Sequence, residues 1–188
     1  MISESRFWKA DLRRWADHLE HRTRARRWSD ASTARVEKAV MFGFFALRRL
    51  MESKGRLSDS TIRTRVRLNG FPSKSKHITL INWLKVDRHF SLTSPRSRRL
   101  GVEDLCNQFI HSYVFIVLHT ERGALQSFLV ASEWGRRKIL YEVPVRTIVR
   151  LFRRAAADDP NAVNAVYDTR IGDYRVSART VRDREHAA

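Results

Sequence analysis

The residues best suited to chemistry lie between Leu100 and His119. This stretch holds the only cysteine, Cys106, with Asn107 beside it and His111 five positions after it. Val102, Leu105, Cys106, Phe109 and Tyr113 recur at spacings of three and four, which predicts a helix over 102–113 with these residues on one face. Glu103, Asn107 and His111 are spaced by four and form a polar line on another face. That line has two readings. One is a satisfied buried network or simply the wet side of the helix. The other is a site built on His111, the side-chain type that titrates near neutral pH. A thiol–imidazole pair does not follow, because five residues on a helix turn the two side chains about 140° apart. A single cysteine rules out an intramolecular disulfide and a multi-cysteine zinc site. There is no phosphate-cradling glycine loop, no HExxH and no visible carboxylate set for a two-metal centre, so neither metal nor cofactor is expected.

Charge supplies the second set of candidates. Lys+Arg number 37 against 20 Asp+Glu, a formal net charge of +17. A field of that sign draws phosphate backbones, and the arginine fork suits phosphate oxygens. Codon usage that favours arginine would account for Arg over Lys, but less well for the shortage of acids. Arg63, Arg65 and Arg67 alternate with Ile62, Val66 and Leu68, which predicts a half-buried strand over 62–68. Its arginines would stand about 7 Å apart, near the spacing of successive phosphates. The same pattern also describes an edge strand guarded by charge. Lys74 and Lys76 fall in a turn-rich loop over 69–76, and Arg96, Arg98 and Arg99 in a loop over 91–99 interrupted by Pro95. These eight cations are the candidate nucleic-acid contacts.

The positioning elements follow from pattern. At 188 residues and 43% hydrophobic content the chain can build one domain with a real core. Helices are expected over 3–27 and 34–53. In the second, Gly43 would admit another helix closely, while Phe42 and Phe45 widen the apolar face enough to predict burial nearly all round. The segment 77–86 fits strand and helix equally. Strands at 114–119, 125–132 and 138–143 predict a meander. Pro144 is expected in the first turn of a helix over 144–157. A single α+β domain over 1–160 would then be followed by an extension over 161–188, with a hairpin pairing 165–167 with 174–177 and a charged tail expected to be mobile. The longest nearly apolar run is nine residues, Ala39 to Leu47, far below the ~18 a bilayer needs. With no visible signal peptide, the expectation is a cytoplasmic protein without membrane contact.

The segment Cys106-Asn107-Gln108-Phe109-Ile110-His111 resembles the motif of HEPN domains, which is arginine, a polar residue, three variable residues and histidine on one helix. The stretch 37–59, a helix followed by Leu57-Ser58-Asp59, is similar to that family's early helix and the turn after it. The resemblance covers about half the chain. It implies a HEPN-like helical core, with the meander as an appended elaboration. It further implies RNA as the favoured partner, a homo-oligomer or larger complex, a phage-defence or toxin–antitoxin setting, and Asn107 and His111 as the site residues. The motif arginine is replaced by Cys106, which cannot stabilise phosphate charge, and Arg99 lies roughly 18 Å along the axis from His111 if the helix ran that far. The family likeness therefore implies a binding protein more than a nuclease. A ribonuclease using His111 with a distant arginine, and a scaffold for an acidic protein, are the alternatives.

Overall fold

The computed structural model describes residues 2–74 and 77–180. Lys76 and the tail beyond Thr180 lie outside the described residues.

The first two helices are α1 (Ser5–Arg22) and α2 (Asp30–Glu52). Ser29 starts α2 through a reciprocal cap. Its hydroxyl accepts from the Ser32 amide at 3.3 Å, and the Ser32 hydroxyl accepts from the Ser29 amide at 2.8 Å. Gly43 has the predicted purpose. A Cβ there would fall 2.2 Å from the ring of Phe152, so glycine lets that ring sit against the α2 backbone. The middle of α2 is not buried all round: Phe42 and Phe45 are 53% and 46% exposed. They lie beside Trp15 and Trp8 of α1 at the edge of the packed arc, because neighbouring helices cover only part of the α2 circumference.

The expected strand over 62–68 starts later. Ser58 caps a short helix α3 (Asp59–Ile62), its hydroxyl accepting from the Thr61 amide while also donating to Asp158 at 2.9 Å. This capped turn takes Ile62 and leaves Arg63 at its C-terminus, outside any strand. Strand β1 runs Arg65–Pro72 and absorbs the first half of the expected loop. Gly70 is not a turn residue. A Cβ there would meet Ile139 at 2.5 Å, so glycine admits a side chain from the neighbouring strand. The segment 77–92 contains one short helix, α4 (Val86–His89). The expected loop over 91–99 is also corrected, since β2 (Arg96–Gly101) begins directly after Pro95, where an edge strand tolerates proline.

Helix α5 (Val102–Ile110) ends earlier than expected, with His111 as its C-cap. The meander then follows as β3 (Ser112–His119), β4 (Leu125–Ser132) and β5 (Ile139–Pro144). Pro144 is the N-cap of α6 (Val145–Ala157) rather than a residue of its first turn. All five strands join one antiparallel sheet of order β2-β1-β5-β4-β3. The fold is α+β, with the meander continuous with β1 and β2.

Helices α5 and α6 lie on one face of the sheet and α1 and α2 pack behind them. Phe44, Phe109, Phe128 and Phe152 fill that interior, with Phe44 and Phe109 stacked at 4.1 Å. The opposite face carries a smaller cluster in which Phe71, Leu129 and Leu140 are covered by Ile78 and Phe90. A hairpin of β6 (Ala162–Asp168) and β7 (Asp173–Arg179) completes the described chain, longer than expected on both sides. It is tied to the body by Lys54, whose ammonium meets Asp173 at 2.6 Å and the Tyr174 carbonyl at 2.7 Å.

Candidate nucleic-acid interface

Strands β1 and β2 bring five of the eight candidate cations together. Arg67 stands directly opposite Arg99, Leu68 opposite Arg98 and Gly70 opposite Arg96. Leu68 is buried under the helices and Phe71 in the opposite cluster, so strand alternation fixes the directions. Arg65, Arg67 and Arg99 project from the face away from the helices, and Arg96 and Arg98 from the other. All five are exposed. Among the described residues none of them has a carboxylate within ion-pair distance.

The other candidates are placed differently. Arg63 lies 3.6 Å from Asp59 and outside the ribbon. The Lys74 ammonium donates to the Asp87 carbonyl at 2.8 Å, which ties it to α4.

A second feature lies at the C-terminal end of α5. Asp104, Asn107, Gln108 and His111 line a depression of about 310 Å³ with Ser132 and Trp134 from the turn between β4 and β5. The polar line of the helix is thus shifted by one position from the expected set. Glu103 turns away to Arg48 of α2 at 2.8 Å, and Asp104 takes its place beside Asn107. The turn is held to α5 by three features. The Glu133 amide donates to the His111 carbonyl at 2.9 Å, and the Ser132 amide donates to Gln108 Oε1 at 2.9 Å. Gly135 leaves no room for a Cβ, which would fall 2.9 Å from Ser132 Oγ. The side chains of Asp104, Asn107 and His111 and the Trp134 indole N–H have no hydrogen-bond partner among the described residues.

Tyr141 links the two features. It is half-buried on β5, directly opposite Gly70, and burial raises its phenol above the ordinary range. Asp104 adds to the rise and Arg98 opposes it, so both charges reach the same hydroxyl. Beyond the turn, the Arg136 guanidinium lies 3.6 Å from the centre of the Tyr113 ring.

Cys106 faces the other way. It is fully buried, and burial pushes its thiol up to about 12, so it is neither a nucleophile nor a neighbour of His111. The arginine whose charge reaches it is Arg48, which is already paired with Glu52 at 2.7 Å and Glu103 at 2.8 Å. Among the described residues no arginine lines the depression. Among the described residues no group of three His, Cys, Asp or Glu side chains is placed to hold a metal, and no helix is long and apolar enough to cross a membrane.

Sequence reasoning missed Asp104 and Trp134. The steps of three and four from Asp104 through Asn107 to His111 carried the first. A tryptophan within the polar turn Glu133-Trp134-Gly135-Arg136 carried the second.

No protein-family model matches the chain, and neither the curated proteins nor the solved structures contain a match.

Proposed function

We propose that this protein binds nucleic acid, RNA in preference to DNA, by gripping the phosphate backbone with the β1–β2 ribbon. The observation that carries the reading is the direct opposition of Arg67 and Arg99, with Arg65 on the same face and, among the described residues, no carboxylate within ion-pair distance of any of them. Like charges placed opposite each other on neighbouring strands cost roughly 0.2–1 kcal/mol, a cost that a bound phosphate removes. Edge protection accounts for the arginines of β2. It accounts less fully for those of β1, where β2 pairs Arg65 to Gly70 along one side while β5 pairs the other side only from Asn69 to Pro72. The net charge of +17 adds long-range attraction.

A binding role without cleavage fits this chain better than a ribonuclease. Asn107 and His111 line one depression. However, the slot of the motif arginine holds a buried cysteine, and Arg48 is committed to two glutamates.

Fluorescence anisotropy with labelled RNA and DNA across a salt series tests the reading. Binding should weaken linearly in log salt, by about 0.7 log units per log unit of salt for each phosphate neutralised on a single strand. The double variant Arg67→Glu/Arg99→Glu should lose most of the affinity and flatten the slope. Undiminished binding by that variant, or no binding by wild type at low salt, sinks the proposal.

A further inference from the structure

We propose that the depression at the end of α5 is a nucleobase subsite for single-stranded nucleic acid. An unpaired base stacks on the Trp134 indole while its polar edge meets Asp104, Asn107 and His111. This rests on the ribbon holding the backbone of the same strand.

Trp134 is 87% exposed. Exposed aromatics elsewhere have company: Phe42 lies 6.4 Å from Trp15, Phe45 6.4 Å from Trp8, and Tyr167 5.3 Å from Tyr174. Among the described residues no ring and no guanidinium lies against Trp134. Its large apolar faces are open to water, yet the backbone that presents it is fixed. The turn is stitched to α5 at Ser132 and Glu133 and closed by Gly135 and Arg136, whose amides donate to the Ser132 carbonyl at 3.0 and 2.8 Å. A rigid, unpartnered aromatic surface loses little freedom on binding, which makes it an effective stacking platform.

The rest of the site suits a base better than a bare phosphate. A phosphate subsite would be lined by cations, and among the described residues no lysine or arginine lines this depression. Its lining offers a carboxylate acceptor at Asp104, an amide with donors and an acceptor at Asn107, and an imidazole at His111, none of them engaged within the fold. Those groups read the donor and acceptor pattern of a base edge, and a carboxylate favours a base presenting an amino group. The volume of about 310 Å³ lies at the small end of the ~300–1,000 Å³ typical of small-ligand sites. Cations flank the depression: Arg137 and Lys138 are exposed just past Trp134, and Arg98 lies across Tyr141 from Asp104. Arg96 and Arg98 project from the same side of the ribbon as α5, so they are the ribbon cations on the subsite's side, while Arg67 and Arg99 hold the strand on the other face. A base inside a duplex is already stacked on both faces, so the subsite selects unpaired nucleotides.

The experiment titrates wild type, Trp134→Ala, Trp134→Phe and the ribbon variant Arg67→Glu/Arg99→Glu with an eight-nucleotide oligoadenylate and with a blunt RNA duplex. Circular dichroism verifies that each variant is folded. Trp134→Ala should weaken oligoadenylate binding roughly ten- to a hundredfold, in line with the loss of one base–aromatic stack. Duplex affinity and the salt slope should stay unchanged, and Trp134→Phe should recover most of the loss. An equal loss on both ligands, or no loss on either, overturns the subsite and leaves the ribbon reading standing. Absence of any wild-type binding overturns both. Loss in the ribbon variant alone leaves the ribbon as the whole interface and rejects the subsite.

Discussion

The two ends of the five-stranded sheet are built from the same backbone ladder and spend their side chains differently. At the meander end both faces are covered. Phe128, Val130 and Val143 lie under the helices, and Leu129, Ala131 and Leu140 face Ile78 and Phe90. At the β1–β2 end the ladder continues for six residue pairs, but β2 offers Arg96, Ser97, Arg98 and Arg99 in succession, all exposed. Burial holds the first end in one arrangement. The second end is held mainly by backbone hydrogen bonds and carries charge that packing does not need. Stability and binding are therefore expected to separate along one sheet, and substitutions at either end test the separation.

The largest effect belongs to the covered end. Phe109 is fully buried on α5, stacked on Phe44 and edge-on to Phe128 at 6.3 Å. Phe109→Ala should destabilise the fold by about 3–5 kcal/mol, because it removes transfer energy and leaves a cavity. Urea denaturation measures this, and a loss below about 1 kcal/mol would mean the aromatic interior is not what holds the covered end.

A smaller effect of opposite sign is expected at the ribbon. Arg67→Glu replaces a repulsive cross-strand pair with an attractive one, so stability should rise by roughly 0.2–1 kcal/mol while nucleic-acid affinity falls. A matched loss of stability would instead make the ribbon arginines structural.

The smallest effect is a pH dependence carried by two imidazoles that burial holds low, His119 on β3 and His18 in the helical layer. His18 on α1 is half-buried with its Nε2 atom unpartnered, and burial, with Arg22, Arg35 and His21 adding to it, holds its imidazole below the usual range near 6.5. The unfolded chain therefore binds the proton more readily than the folded one. The stability held by neutral His18 is full above about pH 6.5 and declines as pH falls toward the lowered folded value. Denaturation curves between pH 8 and pH 5 should show this slope, and His18→Gln should reduce it.

Much of this arrangement was legible in residue pattern. Steps of three and four gave the buried face of α5, the alternation of hydrophobic residues gave the meander, and Gly43 announced the close approach of Phe152. The misreadings came where one residue type serves two purposes. Gly70 and Pro95 looked like turn residues because glycine and proline are common there. In the fold one clears space for Ile139 and the other precedes an edge strand. Ile62 and Arg63 looked like strand because the alternation included them, until the Ser58 cap drew them into α3. Burial of Phe42 and Phe45 was over-read because periodicity reports which face is apolar, not how wide an arc the neighbours cover.

By itself, then, the sequence determined the α+β class, the excess of arginine, the inert position of Cys106 relative to His111, and the order of the main elements. These follow from local periodicity, composition and helical geometry, which act over a few residues. Only the tertiary structure decided that Arg67 and Arg99 stand opposite each other, that Trp134 meets Asn107 and His111, and that Glu103 leaves that group for Arg48. Those relations join residues 23 to 55 positions apart. They depend on strand register and on which helix packs where, and both are settled by burying the whole apolar surface at once rather than by any segment alone.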